Sequence, residues 1–444
     1  MWYISYIFTV QSGTDITPGE LQPMLKTKDK EVAAKKSVLT LEDLLTSCAP
    51  GGGTSMRILT DLAPAGGVGA VIAPARVVDR NEPTYACERR MEINPSTGEA
   101  ESIWVVMIDH KQSMTNRAED AVQAARREKS NEGEALRSVP TVEVQLGDRS
   151  FSDLSLPHRV FDGHIRSSSL NGIPVTQTDE YRALRNATKL NARPLLDSAP
   201  TALIFGAWDS TRKSNQGRYQ TCLTGEIVGV LADQDRDPRT SLNRKAAGRI
   251  DPVAASVKPD QKTVEALVAD QAGELSDKLQ DKILRDAKKK GAAGSSMSTL
   301  GLGNVPPALG ELGGVSCRSI IRRNVLSFSA LRQLRFGGTP EADVACRALL
   351  AAYGLLAMSL ADRELYLRAN CDLVELSQPE VTLDLRYGNK KELEPITPEI
   401  ALGVFNEALA HAQKEAGVDW SGQVMALDGN PAILGSLSAD EPEA

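Results

Sequence analysis

The stretch IWVVMID at 103–109, followed by SMTNRAEDAVQAARRE at 113–128, decides the fold class. The first segment is apolar up to its final Asp109 and rich in branched side chains, which is typical of a strand covered on both faces. The second segment has a polar start and predicts a helix. A chain that mixes such strands and helices with polar insertions is expected to have an α+β fold.

Three further apolar segments predict strands, at 142–146, 202–208 and 226–231. The last two flank a polar loop at 209–220. This loop is long enough to project beyond a sheet, so we expect it to be exposed.

Two helix starts are encoded locally. Thr40, with Asp43 three residues later, predicts a capping box at the start of a short helix. Thr339 as N-cap and Pro340 in the first helical position predict the start of a long helix with an apolar stripe. Charged residues interrupt its apolar run too early for a membrane span, so we expect a core helix.

An insertion is predicted in the second half of the chain. Residues 233–262 are polar, punctuated by proline and without periodicity, which predicts a flexible segment. Apolar residues then recur at helical spacing between 264 and 283, and three lysines at 288–290 precede a glycine, as at a helix C-terminus. A Gly/Pro stretch at 301–314 predicts an ordered loop.

The charge pattern is uneven. The chain of 444 residues has a net charge of −7, and aromatic residues make up only 4%. Scarce aromatics argue against binding RNA by stacking bases, and the acidic balance is unusual for a protein that neutralises phosphates. Arginines are nevertheless concentrated at 315–336, where there is no Asp or Glu. We expect a local basic strip, with Arg318 and Arg322, and Arg332 and Arg335, sharing faces of an Arg-rich helix.

The six cysteines are scattered singly, so zinc binding is not expected. We expect reduced thiols that are mostly buried. The opening MWYISYIFTV is apolar but too short to span a bilayer, and it lacks a basic n-region. These features predict a cytoplasmic protein without membrane contact.

Several stretches, taken in chain order, carry a resemblance to one family. They are LTLEDLL at 39–45, LAPAGGVGAVIAPA at 62–75, IDHKQSMTNRAEDA at 108–121, LPHRVFDGHIRSSSLNG at 156–172, SAPTALIFGAWDST at 198–211, TGEIVGV at 224–230, GLGNVPP at 301–307, GGVSCRSIIRRNVLSFSALRQLRF at 313–336 and RANCDLV at 368–374. Together they resemble the backbone subunit of type I-G (formerly I-U) CRISPR complexes, within the wider group of repeat-associated RNA-binding proteins.

The resemblance implies an RRM-like (ferredoxin-like) palm with helical fingers, a β-hairpin thumb and large insertions. Copies of such a subunit assemble along CRISPR guide RNA (crRNA) and present it for pairing with target DNA. Their other partners are a large subunit and a fused repeat-processing subunit. The resemblance implies no catalysis, no cofactor and no metal, and contacts to phosphates and 2′-hydroxyls rather than to base identity.

With this resemblance, the chain is predicted to consist of five segments. They are an N-terminal extension at 1–37, the first part of the palm with inserted finger and thumb elements at 38–232, a flexible and helical insertion at 233–295, the second part of the palm with the Arg-rich helix and the core helix at 296–386, and a C-terminal helix with an acidic tail at 387–444.

We predict RNA contacts from cationic and amide side chains, because guanidinium groups and helix N-termini bind phosphate oxygens. The predicted residues are Gln112, Asn116, Arg117, Arg159, Arg166, Arg212, Lys213, Arg218, Arg318, Arg322, Arg323, Arg332 and Arg335. For the Arg-rich segment RNA contact is favoured, with Arg322 and Arg323 first, and the alternative is a solvated or salt-bridged helix face. The first three residues could serve in capping and in a salt bridge to Glu119 or Asp120, and the loop with Arg218 could be a plain hairpin tip.

Other residues suggest further roles. His158 and Asp162 lie one turn apart and predict a structural pair rather than an acid and a base. Trp208 is expected in the core rather than as a base-stacking platform. The glycine runs at 51–53 and 66–69 lack a nucleotide-binding signature, so we expect them to allow positive φ or close backbone contacts.

The main alternative function is a metal-dependent endonuclease that cuts target RNA, as in related type III subunits. Asp109, at the end of a strand, is the candidate residue for that role. A lone carboxylate does not make a metal site, so this hypothesis ranks second. A small-molecule enzyme that uses the glycine loops is a third possibility.

Overall fold

The computed structural model describes residues 36–79, 82–93, 97–214, 216–238, 244–247, 259–290, 300 and 308–436. Within these ranges helices and strands are mixed, which confirms the α+β class. The helices are α1 (Leu41–Cys48), α2 (Lys111–Arg127), α3 (Asn131–Arg137), α4 (Gly163–Arg166), α5 (Asp179–Asn186), α6 (Arg193–Ser198), α7 (Thr201–Ile204), α8 (Gln261–Asp270), α9 (Asp277–Lys290), α10 (Phe328–Leu331), α11 (Pro340–Arg363) and α12 (Pro398–Ala416).

The strands form one large sheet and several smaller ones. They are β1 (Ser55–Pro64), β2 (Arg76–Asp79), β3 (Glu82–Tyr85), β4 (Cys87–Ile93), β5 (Ala100–Asp109), β6 (Thr141–Leu146), β7 (Arg149–Ser152), β8 (Ser169–Leu170), β9 (Ile173–Pro174), β10 (Ala207–Trp208), β11 (Arg218–Tyr219), β12 (Leu223–Leu231), β13 (Arg244–Ala247), β14 (Ala308–Leu312), β15 (Cys317–Ser327), β16 (Leu373–Glu375), β17 (Glu380–Asp384), β18 (Lys390–Leu393) and β19 (Val424–Asp428).

The large sheet is antiparallel throughout, in the order β18-β17-β1-β15-β12-β5-β4, and β16 also pairs with β1. Helix α2 lies between β1 and β12 in the chain, and α11 lies between β15 and β17. β5 is buried on both faces, since Ile103 and Val105 alternate with the equally buried Trp104 and Val106. The strand predicted at 103–109 is therefore confirmed, and so is the helix after it.

The main core lies on one face of the sheet, where α2 and α11 pack against each other. We call this the helix face. A second, smaller sheet, in the order β7-β6-β19-β8-β9, adds to the same core, and its β6 and β19 are parallel. Helix α12 packs along α11, so the C-terminal segment completes the layer over the helix face.

The insertion between β12 and β15 contains a strand pair and a helix pair. Strands β13 and β14 pair antiparallel, and α8 packs against α9 over a cluster of Val264, Val268, Ile283 and Ala287. The helical spacing predicted at 264–283 is confirmed as two helices rather than one. The Gly/Pro stretch does not remain a loop throughout, because its residues 308–312 form β14.

Both predicted helix starts are confirmed. The Thr40 hydroxyl accepts a bond from the backbone N–H of Asp43, and the Asp43 carboxylate accepts from the backbone N–H of Thr40 at 3.1 Å. Thr339 caps α11 with Pro340 at its first position. Helix α11 is long and apolar enough to cross a membrane, but 94% of its most apolar window is buried inside the fold. It is packed as a core helix.

Two predicted elements are wrong. Residues 202–208 were expected as a strand, but α7 occupies most of this range and only Ala207 and Trp208 are extended. Periodicity does not separate a strand from a short helix that is buried on all sides, as α7 is. The Arg-rich helix is instead the strand β15, in which buried and partly exposed residues alternate.

Some predictions fall outside the described residues. These concern most of the N-terminal extension, at 1–35, parts of the flexible insertion, at 239–243 and 248–258, the Gly/Pro residues 301–307 and the acidic tail at 437–444. All six cysteines lie within the described residues; four are buried and two are partly buried, which confirms that most of them are buried. Burial raises the pKa of Cys48 and of Cys222 to about 12, so these thiols are unreactive.

Candidate nucleic-acid interface

The central strand β15 presents its arginines to two different environments. Ile320, Arg322 and Asn324 point to the helix face, and Ile321 and Arg323 point the other way, to what we call the second face. The Arg322 side chain is only 1% exposed, whereas that of Arg323 is 39% exposed. Two adjacent predicted RNA ligands therefore have opposite surroundings.

Arg322 is held by a buried polar cluster. Its Nη2 donates to Glu375 Oε1 at 2.5 Å and to Thr60 Oγ1 at 3.3 Å, and its Nη1 lies 3.4 Å from Asp362 Oδ1. Asn324 Nδ2 donates to Asp362 Oδ2 at 3.1 Å. Burial raises the pKa of Asp362 to about 6. A cleft of about 410 Å³ lies beside this cluster. In this arrangement Arg322 links strands and helix within the protein.

The second face carries ion pairs that join neighbouring strands. Arg90 binds Glu226 through Nη1 and Nη2 at 2.5 and 3.0 Å, and this bond lowers the pKa of Glu226. Arg323 lies 3.9 Å from the same carboxylate, which Arg90 already occupies. Arg318 donates to Glu92 at 2.8 Å. Arg323 is therefore partly exposed and more weakly paired than Arg90 and Arg318.

Arg57 lies on the second face and was missed by the sequence analysis. Its Nε and Nη2 donate to Asp384 at 2.7 and 3.1 Å, and this pair lowers the pKa of Asp384. Alternation along β1 puts Arg57 and Leu59 on one face. That alternation is visible in the sequence, but the face to which it belongs is fixed only by pairing with β15.

The start of α2 holds three predicted ligands. Gln112 and Asn116 are both exposed and lie one turn apart. Arg117 is bound to Asp109 at 2.8 Å and donates to the carbonyls of Tyr366 and Leu367, so it links α2 to the segment after α11. The alternative interpretation, a salt bridge from Arg117 to Glu119 or Asp120, is wrong in its partner, which is Asp109. His110 caps the helix by accepting a bond from Ser113 N, a role that the sequence analysis did not assign.

The segment around Arg159 is mainly structural. Arg159 binds Glu119 through two bonds of 2.6 and 2.7 Å and donates to the Gly206 carbonyl at 2.8 Å. The expected pair of His158 with Asp162 is wrong. The Asp162 carboxylate instead accepts a hydrogen bond from Nδ1 of the His164 ring at 2.7 Å. From His158 it accepts a bond of the backbone N–H, not of the ring.

Arg166, in α4, is half-buried. Its Nε donates to the Phe161 carbonyl at 3.0 Å. This bond orients the side chain within the segment that also contains Arg159.

The β10–β11 hairpin and its loop hold three of the predicted ligands, and two of them, Lys213 and Arg218, are exposed. Trp208 is 46% exposed, so its expected core position is wrong, and the Arg218 guanidinium lies over its ring at 5.2 Å. Lys213 is exposed, and Arg212 donates to the Arg185 carbonyl at 2.5 Å. The hairpin therefore presents an aromatic ring and two cations to solvent, and Arg212 ties it to α5.

Arg332 and Arg335 follow α10. Arg332 Nη1 donates to the carbonyls of Ser47 and Gly53 at 2.5 and 2.7 Å, and so it fixes the glycine turn between α1 and β1. Arg335 is exposed and lies 3.5 Å from Asp343. Of this pair, Arg335 is the one that solvent reaches.

The backbone geometry of the turn at 51–53 explains why it consists of glycine. Gly51 has φ of +78°, which favours glycine, and a Cβ on Gly52 would lie 2.2 Å from the Thr46 carbonyl oxygen. The prediction of positive φ and close backbone contact is confirmed for this run.

Asp109, the residue of the endonuclease alternative, is buried and paired with Arg117. Across the described part of the chain, His, Cys, Asp and Glu residues do not come together in groups of three that could hold a metal. The carboxylate therefore serves as an internal partner in this arrangement.

A protein-family model matches part of the chain. Residues 56–234, from β1 to just beyond β12, match the family model of the CRISPR-associated protein GSU0053 (Cas_GSU0053). A comparison with curated proteins finds no match. The family match supports a CRISPR-associated role for this chain.

Proposed function

We propose that the chain is a non-catalytic subunit that binds CRISPR guide RNA, and that several copies assemble along the RNA as the backbone of a type I-G surveillance complex. The observation that carries this proposal is the strand order β17-β1-β15-β12 with α2 and α11 on one face. In chain order these elements run β1, α2, β12, β15, α11, β17, which corresponds to the β-α-β-β-α-β order of RRM-like domains.

In this proposal, those six elements form the palm. β5 and β4 extend it at one edge and β18 at the other, and the antiparallel β2–β3 hairpin, outside the large sheet, is the candidate thumb. RRM-like domains bind RNA on the sheet face away from their helices. On the second face, β1 and β15 carry Arg57, Arg323 and Leu59 rather than a row of aromatics, which favours backbone contact over base stacking. The β12–β5 part of that face is a buried apolar cluster, so the proposed RNA contacts on this face lie on the β1–β15 part.

The proposed RNA ligands are the predicted residues that solvent reaches. They are Gln112, Asn116, Lys213, Arg218, Arg318, Arg323 and Arg335, with Trp208 added from the structure. Arg117, Arg159, Arg322 and Arg332 make internal bonds, so we propose that they support the surface from below.

The proposed partners are crRNA, target DNA through pairing with the guide, further copies of the chain, a large subunit and a fused repeat-processing subunit. The proposed location is the cytoplasm. A guide of any sequence has to be accepted, and ionic contacts to its backbone do not depend on base identity.

The proposal is tested by assembling purified protein on guide RNAs of two lengths. Light scattering after size exclusion measures the mass of each complex. We expect the longer guide to carry more copies, and we expect a guide of scrambled spacer sequence to give the same mass as the natural one of equal length. Equal masses on the short and long guides would contradict a backbone role.

The non-catalytic part of the proposal has its own test. The assembled complex is incubated with complementary RNA and Mg²⁺, beside the same complex with Asp109→Asn. We expect intact RNA from both samples. Regularly spaced cuts that Asp109→Asn abolishes would instead establish the endonuclease function.

A further inference from the structure

A groove of about 380 Å³ lies between the C-terminal end of α2, α3 and the β6–β7 hairpin. Its lining includes three arginines and three hydroxyl side chains, namely Arg126, Arg127, Arg137, Thr141, Ser150 and Ser152. Glu143 also lines it, so the local charge is two positive units, three minus one, on a chain whose net charge is −7. The groove was not among the predicted sites.

Two of the arginines are fixed in place by helix ends. Arg126 Nη1 donates to the carbonyls of Leu136 and Val139 at 2.8 and 3.0 Å. Arg137 Nη1 donates to the carbonyls of Arg126 and Glu128, both at 2.9 Å. Each guanidinium satisfies carbonyls that a helix terminus leaves open. These bonds hold each guanidinium group in place before a ligand binds. They use only Nη1, so the other nitrogens of Arg126 and Arg137 can donate to a ligand.

The hydroxyl groups point to a missing partner. Thr141 is 1% exposed, and its Oγ1 and the Oγ of Ser152 are buried without a hydrogen bond to any described residue. Leaving a buried polar group unsatisfied costs about 1–3 kcal/mol, so native proteins rarely do it without a reason. A ligand that accepts hydrogen bonds would satisfy both hydroxyls.

We propose that this groove binds a phosphate group of a nucleic-acid strand. Three guanidinium forks and two hydroxyl donors match the several oxygens of one phosphate. The groove is larger than a phosphate ion and includes Leu154, which leaves room for the adjoining sugar. Arg127 is fifteen residues from Gln112 along α2, or roughly 22 Å, so the groove is separate from the ligands at the start of that helix.

That the bound phosphate belongs to RNA rests on the proposed function. That the groove binds a phosphate group is argued from the groove's own residues. The two are separated by using two probes, a labelled single-stranded RNA of mixed sequence and inorganic tripolyphosphate. RNA binding is followed by fluorescence anisotropy over a range of salt concentrations, and tripolyphosphate binding by the shift in melting temperature.

Two variants test the groove. Arg127→Gln removes an exposed cation that makes no internal bond in the described structure, and Thr141→Val removes an unsatisfied hydroxyl at constant shape. We expect Arg127→Gln to weaken RNA binding about 10-fold and to lower the salt slope by about one. Thr141→Val is expected to keep or raise the melting temperature and to weaken binding of both probes. The matched control is Arg182→Gln, an exposed arginine on α5, which is expected to bind as the wild type does.

Each outcome decides one question. RNA and tripolyphosphate binding that both variants leave unchanged would overturn the groove. If the wild type binds tripolyphosphate but no RNA, and Arg127→Gln abolishes the shift, the phosphate site stands and the guide-binding function fails. If neither probe binds the wild type, both proposals fail.

Discussion

Arg322 and Arg323 are neighbours in the chain and yet belong to two different regions of the molecule. Arg322 points to the helix face, where Asp362, Glu375 and Thr60 enclose it. Arg323 points to the second face and has one carboxylate, at 3.9 Å, which it shares with Arg90. The difference teaches that a run of arginines in a strand supplies structure on one side and a candidate binding surface on the other.

The largest effect is expected on the buried side of this comparison. Arg322→Ala leaves the carboxylate of Asp362 enclosed without its cation, and such a loss typically costs about 3–5 kcal/mol. The free energy of unfolding is measured by urea denaturation at about pH 8 and about pH 5. We expect a smaller loss at the lower pH, because Asp362 can then take up a proton.

Arg323→Ala is the control for this variant, since it removes the same side chain from the adjacent position. We expect its free energy of unfolding to change by under about 1 kcal/mol. Equal losses in the two variants would show that the two faces do not differ as the structure indicates.

A second buried carboxylate, Asp153, makes the free energy of unfolding depend on pH. Asp153 has no exposed surface, accepts a bond from Val142 N at 3.2 Å and binds the Thr201 hydroxyl. Burial raises its pKa from 3.8 to about 6. The folded state therefore holds the proton more tightly, and the free energy of unfolding falls as pH rises through this window.

Asp153→Asn removes this titration while keeping the shape. We expect the variant to lose less stability between about pH 4 and pH 6 than the wild type, by roughly 3 kcal/mol. Urea denaturation at several pH values measures the slope. Parallel curves for the two proteins would show that Asp153 titrates normally.

Away from the large sheet, the exposed β10–β11 hairpin should contribute more to RNA binding than Arg323 on the second face. Trp208→Ala removes a ring that is exposed and already stacked with Arg218, and base stacking on such a ring is worth about 1–3 kcal/mol. We expect RNA affinity to fall about 10-fold with little loss of stability. Tyr219→Phe, in the same hairpin but buried, is the control and should bind normally.

Features that depend on neighbours in sequence were predictable. The capping box at Thr40, the proline start of α11 and the strand-helix unit at 103–128 all use local bonds or periodicity, and all are confirmed. The short buried helix α7 was not predictable, because an apolar run of this length carries no period that separates helix from strand.

The partners of the arginines were beyond the reach of local reasoning. Residues 315–336 contain no acidic side chain, but Arg318 binds Glu92, which is 226 residues away in sequence. Strand pairing brings such residues together, and no spacing rule within one segment reports it. The sequence therefore indicated which cations exist, and the fold decides which of them solvent can reach.

The smallest effect is expected at Arg323, and it tests the exposed side most directly. Arg323→Gln keeps the length and polarity of the side chain and removes one charge from the second face. A partly exposed phosphate contact contributes about 1 kcal/mol, so we expect RNA affinity to fall a few-fold and the salt slope to drop by about one. Fluorescence anisotropy at several salt concentrations measures both quantities. Arg182→Gln, on α5, has the same change of charge and is expected to leave both unchanged. A normal salt slope for Arg323→Gln would mean that RNA does not lie across the second face, and the binding surface would then have to be sought at the hairpin and the start of α2.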